Sequence, residues 1–115
     1  MTKPEPAPEP REVPVKIGLD EKGNLVASPE YFFVSKSRNQ EVKWACAIAH
    51  EHSHDGPCFT VDFEKNGSPF YEAQFSSDAS YSGLVRREVL AGPKVYEYTI
   101  RSGNKSTDPG GGVKP

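Results

Sequence analysis

The sequence predicts an all-β domain, an antiparallel Greek-key β-sandwich behind a disordered N-terminal arm. Three observations predict it. Short segments alternate apolar and polar residues with a period of two, most clearly in Cys58-Phe59-Thr60-Val61-Asp62-Phe63. Clusters of Gly, Pro, Asn, Asp and Ser separate these segments. No stretch carries the period of about 3.6 residues that marks an amphipathic helix.

Residues 1–13 alternate Pro with Glu, Ala and Lys. Such a stretch has too little apolar surface to offset its ordering entropy, which predicts a disordered, partly polyproline arm. Residues 14–115 form the predicted domain. Val15, Ile17 and Leu19 alternate as a first strand, Asp20 to Asn24 is a turn, and Leu25-Val26-Ala27 leads back. Ser28-Pro29 breaks the pattern. Tyr31-Phe32-Phe33-Val34 is apolar on both faces and reads as a well-buried strand. Lys36 to Gln40 is a polar turn. Val42, Trp44 and Cys46 then alternate with Lys43 on the outside, and Ala45 to Ala49 is small and apolar enough to bury both faces.

The next connection is the polar segment His50-Glu51-His52-Ser53-His54-Asp55, closed by Gly56-Pro57. It leads into the strand Phe59-Val61-Phe63, with Asp62 on the wet face. Lys65 to Pro69 is a strong turn, Phe70 to Phe75 fits a short strand or a helical turn, and Ser76 to Ser82 is loop-like. Leu84 to Glu88 fits a strand with a weakly defined inner face. Leu90-Ala91-Gly92-Pro93 turns the chain. Tyr96, Tyr98 and Ile100 share one side of the last strong strand, and the close after Asp108 is loop-like with a short pairing at Val113.

Composition excludes several function classes. The chain has 115 residues, enough for one modest core, and a net charge of -2. Its basic residues are scattered, so neither a nucleic acid nor an anionic membrane is an expected partner. No run approaches the roughly 18 apolar residues of a membrane span. The N-terminus has no apolar signal core, which predicts a cytoplasmic protein. In that compartment Cys46 and Cys58 are expected as reduced thiols, buried as small hydrophobes. The alternative is a disulfide joining the two strands over the histidine loop.

The order of features resembles a cupredoxin-like (cupredoxin/immunoglobulin-like) β-sandwich. Val42-Lys43-Trp44 is similar to that family's Val-x-Trp strand. Pro57-Cys58-Phe59-Thr60-Val61 is similar to its Pro-His-x-x-Val approach to the next strand. Tyr96-Glu97-Tyr98-Thr99-Ile100 is similar to its Tyr-x-Tyr-x-Cys strand. The resemblance runs from about Val15 to Val113. It implies the fold without blue copper, because a type 1 site needs a Cys thiolate and two His. Ile100 stands where that Cys would be and Cys58 where the first His would be, and no His or Met follows Ile100.

Chemistry is sparse elsewhere. His50, His52 and His54 share one face of an extended chain, about 6.5 to 7 Å apart, and adjacent pairs can chelate one ion. Zinc wants three or four converging ligands, which Cys58, Cys46, Glu51 or Asp55 could complete. The bland reading is a solvated, His-rich loop. Cys58, a histidine and Asp55 have the residue types for nucleophilic catalysis, but nothing marks an oxyanion hole. The Gly110-Gly111-Gly112 run lacks the Lys-Ser/Thr of a phosphate loop and predicts flexibility or a tight turn. Tyr71, Phe75 and Tyr81 are expected to cap one open end of the sandwich, with a partner-binding surface as the alternative.

The expected function is therefore a non-enzymatic interaction or accessory module that docks on a protein partner, without a cofactor. The alternative is a copper- or zinc-binding protein using His50, His52 and His54 with Cys58.

Overall fold

The computed structural model describes residues 11–48, 58–65 and 67–115. These form nine strands and no helix: β1 (Glu12–Leu19), β2 (Leu25–Ser28), β3 (Tyr31–Ser35), β4 (Glu41–Cys46), β5 (Thr60–Asp62), β6 (Gln74–Ser76), β7 (Thr99–Ser102), β8 (Lys105–Thr107) and β9 (Gly110–Lys114). They pair in the orders β2-β1-β4, β3-β9 and β6-β5-β7-β8. The all-β expectation holds.

Strand direction corrects the antiparallel expectation. β1 runs parallel to β4, with Val15 opposite Trp44, and β3 runs parallel to β9, with Phe32 opposite Gly111. Local turn signals report only on consecutive strands, which a short turn folds back antiparallel. β2 and β3 intervene between β1 and β4, so the chain re-enters beside β1 in the same direction. β1 also begins at Glu12 and pairs Glu12 and Val13 with Glu41 and Val42, so ordered strand takes in two residues assigned to the arm.

The first hairpin shows sequence dictating structure locally. Asp20 Oδ1 accepts the backbone N–H of Lys22 at 2.9 Å and of Asn24 at 2.8 Å. Gly23 takes the left-handed φ of 79° that the reversal requires. The Asn24 N–H, more than any other group, holds the Asp20 carboxyl below its ordinary value.

The alternation fills one core. Val15 and Ile17 of β1, Phe32 and Val34 of β3, Val42 and Trp44 of β4, Phe59, Val61 and Phe63 around β5, and Ile100 of β7 are all buried. Its centre is aromatic. Phe63 stacks on Tyr98 with ring centroids 4.6 Å apart, and Trp44 lies 5.0 Å from Phe75. The Trp44 Nε1–H donates to the Tyr98 hydroxyl at 3.2 Å, so both polar tips of the buried rings are satisfied. Burial pushes the Tyr98 phenol up to about 12, keeping it neutral.

The glycine run is a strand, against the expectation of a loop. Gly110, Gly111 and Gly112 are buried in β9, between β3 and the extended segment at Tyr96. A Cβ on Gly111 would sit 2.2 Å from the Phe32 ring. Glycine here makes room for an aromatic core side chain, and its φ is not left-handed. Leu84 to Glu88 corrects the reading in the other direction, because it forms no strand. Val85 makes a single bridge to Phe70, and Arg86 donates through Nε and Nη2 to the Ser68 carbonyl at 3.1 and 2.7 Å. Side-chain bonds replace a ladder there.

Candidate functional site

Three places merit a functional reading: the cysteine end of β4 and β5, a polar groove on the β5 sheet, and the outer face of β3.

At the first, Cys46 and Cys58 form a disulfide with Cα atoms 6.2 Å apart. This corrects the expectation of two buried reduced thiols. β4 and β5 lie in different sheets, and the fold brings their facing ends within disulfide reach. Cys46 is exposed at the end of β4, whereas Val42 and Trp44 of the same strand are buried. Ala45 and Ala47 likewise bury neither face fully. Cys58 is held from two sides. Its N–H donates to Ser77 Oγ at 2.9 Å, and its carbonyl accepts the Ser102 hydroxyl at 2.6 Å. His50, His52 and His54 lie outside the described residues, as do Glu51 and Asp55. Metals take the thiolate, so disulfide-bonded Cys58 has none to offer. Among the described residues no three His, Cys, Asp or Glu side chains are grouped to hold an ion.

The groove, of about 440 Å³, runs over the wet face of β5, β6 and β7. Thr60, Asp62, Gln74, Ser76 and Arg101 line it, and Arg101 Nη1 lies 3.7 Å from Asp62 Oδ2. Asp62 thus sits on the wet face, as its position in the alternation predicts. Such an accessible ion pair contributes little to stability.

The third place was missed by sequence reasoning. Tyr31 and Phe33 are not buried: they are 53% and 58% exposed on the outer face of β3. The glycines of β9 form the shelf beneath them. A Cβ on Gly110 would meet the Tyr31 ring at 2.8 Å and Val95 at 2.9 Å, and one on Gly112 would meet the Phe33 ring at 3.3 Å. Tyr31, Phe33 and half-exposed Val95 therefore converge into one apolar strip. The available signal was the pairing of a four-residue apolar run, three of it aromatic, with a glycine run. Its meaning depends on their being neighbours, which sequence distance hides.

The three rings expected to cap the sandwich divide. Phe75 is buried against Trp44, whereas Tyr71 and Tyr81 are exposed. The Tyr71 hydroxyl accepts the Arg87 N–H at 3.1 Å. Lys43 Nζ lies 5.2 Å from the Tyr81 ring centroid, and a hydrogen bond with Tyr81 raises the Lys43 pKa.

No known protein family matches the chain, and no curated protein is significantly similar to it in sequence.

Proposed function

We propose that this chain is a non-catalytic, cupredoxin-like Greek-key sandwich that serves as a protein-interaction module or accessory subunit. The observation that carries this reading is the strip of Tyr31, Phe33 and Val95, raised on a glycine shelf and open to solvent. Exposed aromatic side chains gathered on a rigid strand are the composition of an interface core, not of an ordinary wet surface. The packing beneath them is fixed by Phe32 and the β3–β9 ladder, so the strip is pre-organised and loses little entropy on binding.

Pull-down from a native lysate tests it with the full chain and a Tyr31→Ser/Phe33→Ser double variant as baits. One partner recovered by the parent and depleted with the variant is the expected result. Recovery unchanged by the variant, or no partner at all, would remove the reading. The double variant keeps every core residue, so its melting temperature should match the parent within a few degrees.

A second reading has one observation in its favour. The Cys46–Cys58 bond joins the two ends of the segment that carries His50, His52 and His54. A closed ring lowers the entropy cost of bringing ligands together on copper or zinc. In the disulfide form Cys58 is the anchor of such a site and not a ligand. Zinc and copper titrations of oxidised and reduced chain, beside a His50/His52/His54→Ala variant, decide it. Stoichiometric binding that the variant loses supports the reading, and an unchanged melting temperature in excess metal removes it. The bond also bears on location: disulfides persist in oxidising compartments, so a cytoplasmic placement suits only the dithiol form.

A further inference from the structure

We infer that the Cys46–Cys58 bond is a thiol–disulfide exchange site of the folded chain, entered by small thiols at Cys46 Sγ and opened without unfolding the domain. Neither a protein partner nor a metal ion is needed for it.

The two halves of the bond meet different surroundings. Cys46 ends β4 and is exposed, and Ala47 beyond it is exposed too. Cys58 is half-buried and packs against the core, next to buried Phe59. Its backbone is held on both sides, by Ser77 Oγ at 2.9 Å and by the Ser102 hydroxyl at 2.6 Å. Exchange proceeds by attack of a thiolate on one of the two sulfurs, and access decides which one is attacked. The open approach is to Cys46, with Cys58 as the leaving group.

The step balances with one class of co-reactant, a low-molecular-weight thiol. Its thiolate attacks Cys46 Sγ, and a new S–S bond forms there as the Cys46–Cys58 bond breaks. The electron pair leaves on Cys58 Sγ, which takes a proton from water. The product carries a mixed disulfide at Cys46 and a thiol at Cys58. A second thiolate then attacks the small molecule's sulfur in that mixed disulfide and frees Cys46. Two small thiols end as one oxidised dimer, and the protein disulfide ends as two thiols.

Opening the bond leaves both strands anchored. The Val42 carbonyl accepts the Ser82 N–H at 2.8 Å, and the Val42 N–H donates to Ser82 Oγ at 2.8 Å. The Trp44 N–H donates to the Ser80 carbonyl at 3.0 Å, and beyond Cys46 the Ala47 N–H donates to the Ile17 carbonyl at 2.7 Å. The Trp44 ring packs on Phe63 and Phe75. These contacts tie β4 to β1, to the segment after β6 and to the core beneath β5 independently of the sulfurs. What the bond adds is closure of the ring of residues 46–58, which limits the unfolded chain. Its loss lowers stability and leaves the fold in place.

The test treats the oxidised full chain with reduced glutathione and alkylates free thiols with iodoacetamide as the reaction is stopped. Cleavage after Glu51 separates the two cysteines for mass spectrometry. Glutathione on Cys46 with the alkyl group on Cys58 should outnumber the reverse labelling by about tenfold or more. The rate should be first order in thiolate and flat in urea up to the start of the unfolding transition, because the reacting state is the folded one. The fully reduced chain should melt about 10–20 °C lower than the oxidised one. It should keep the amide shifts of Val42, Phe63 and Ser82, with changes confined to the surroundings of Cys46, Cys58, Ser77 and Ser102. Equal labelling, or glutathione mainly on Cys58, would overturn entry at Cys46. A rate that climbs in step with unfolding, or a reduced chain that has lost its fold, would overturn exchange on the folded chain. Two thiols that oxidised glutathione leaves unjoined would overturn the inference as a whole.

Discussion

Phe32 and Phe33 are adjacent on one strand and meet opposite surroundings. Phe32 is wholly buried and lies within 6.5 Å, centroid to centroid, of Trp44, Phe63, Phe70 and Tyr98. Phe33 is 58% exposed on the other side of the same sheet. The two share residue type, strand and neighbouring glycine shelf. The difference between them separates what holds this fold from what the fold displays. The inner ring is interlocked with the core and the outer one is carried on it.

The largest expected effect breaks or confirms that contrast directly. Phe32→Ala should cost about 3–5 kcal/mol in urea unfolding, the range for removing a core aromatic. Phe33→Ala should stay within about 0.5 kcal/mol, the range for surface changes away from special features. Comparable losses for the two would mean that Phe33 is structural, and the interaction reading would lose its footing.

A second test probes the inner face through its one buried phenol. Tyr98 has its pKa raised to about 12 by burial. An unfolded tyrosine titrates near 10, so between these values the unfolded chain sheds a proton that the folded chain keeps. The unfolded state then binds fewer protons, and stability falls as pH rises. The contribution is fully present below about pH 10 and its loss is complete near pH 12, amounting to roughly 2–3 kcal/mol. Unfolding curves across that window should show this decline, and Tyr98→Phe should remove it. The variant should also be about 1–3 kcal/mol less stable at neutral pH, because the Trp44 N–H loses its acceptor. A decline that survives in Tyr98→Phe would assign the alkaline loss to other groups.

Much of the inner face was legible in the sequence, and the outer face was not. The alternation of Val15 with Ile17, Val42 with Trp44 and Phe59 with Val61 and Phe63 placed those side chains in the core, because a period of two has only one buried solution. The Asp20 turn was equally readable, since Asp and Gly do their work within five residues. What failed depended on distant partners. Tyr31-Phe32-Phe33-Val34 looked buried on both faces because hydrophobicity alone cannot say whether a second layer exists. Gly110-Gly111-Gly112 looked like a loop because a glycine strand is intelligible only beside the rings that cover it. The two cysteines were read as reduced thiols, with a disulfide only as the alternative, for the same reason: their distance is set by the packing of two sheets and not by the twelve residues of sequence separation. Of the site residues named from the sequence, Cys58 became a disulfide anchor and the histidines lie beyond the described residues.

The smallest effects examine the shelf itself and sharpen the contrast to single atoms. Gly111 and Gly112 are consecutive, and neither has a left-handed φ, so an alanine is strained at neither by backbone conformation. Only the neighbouring space differs. A methyl group on Gly111 points inward and would meet the Phe32 ring at 2.2 Å, where the core leaves that ring nowhere to go. Gly111→Ala should therefore destabilise by about 1–3 kcal/mol, the usual cost of overpacking. A methyl group on Gly112 points outward and would meet the Phe33 ring at 3.3 Å, and that ring can swing into solvent. The reduced freedom of the unfolded chain offsets this contact, so Gly112→Ala should fall within about 0.5 kcal/mol of the parent. It should nevertheless weaken partner binding, because the added methyl group displaces the Phe33 ring from its place against Gly112. Equal stability losses at the two glycines would show that Phe33 is as firmly held as Phe32. Unchanged binding in Gly112→Ala would show that the posture of Phe33 does not matter to the partner.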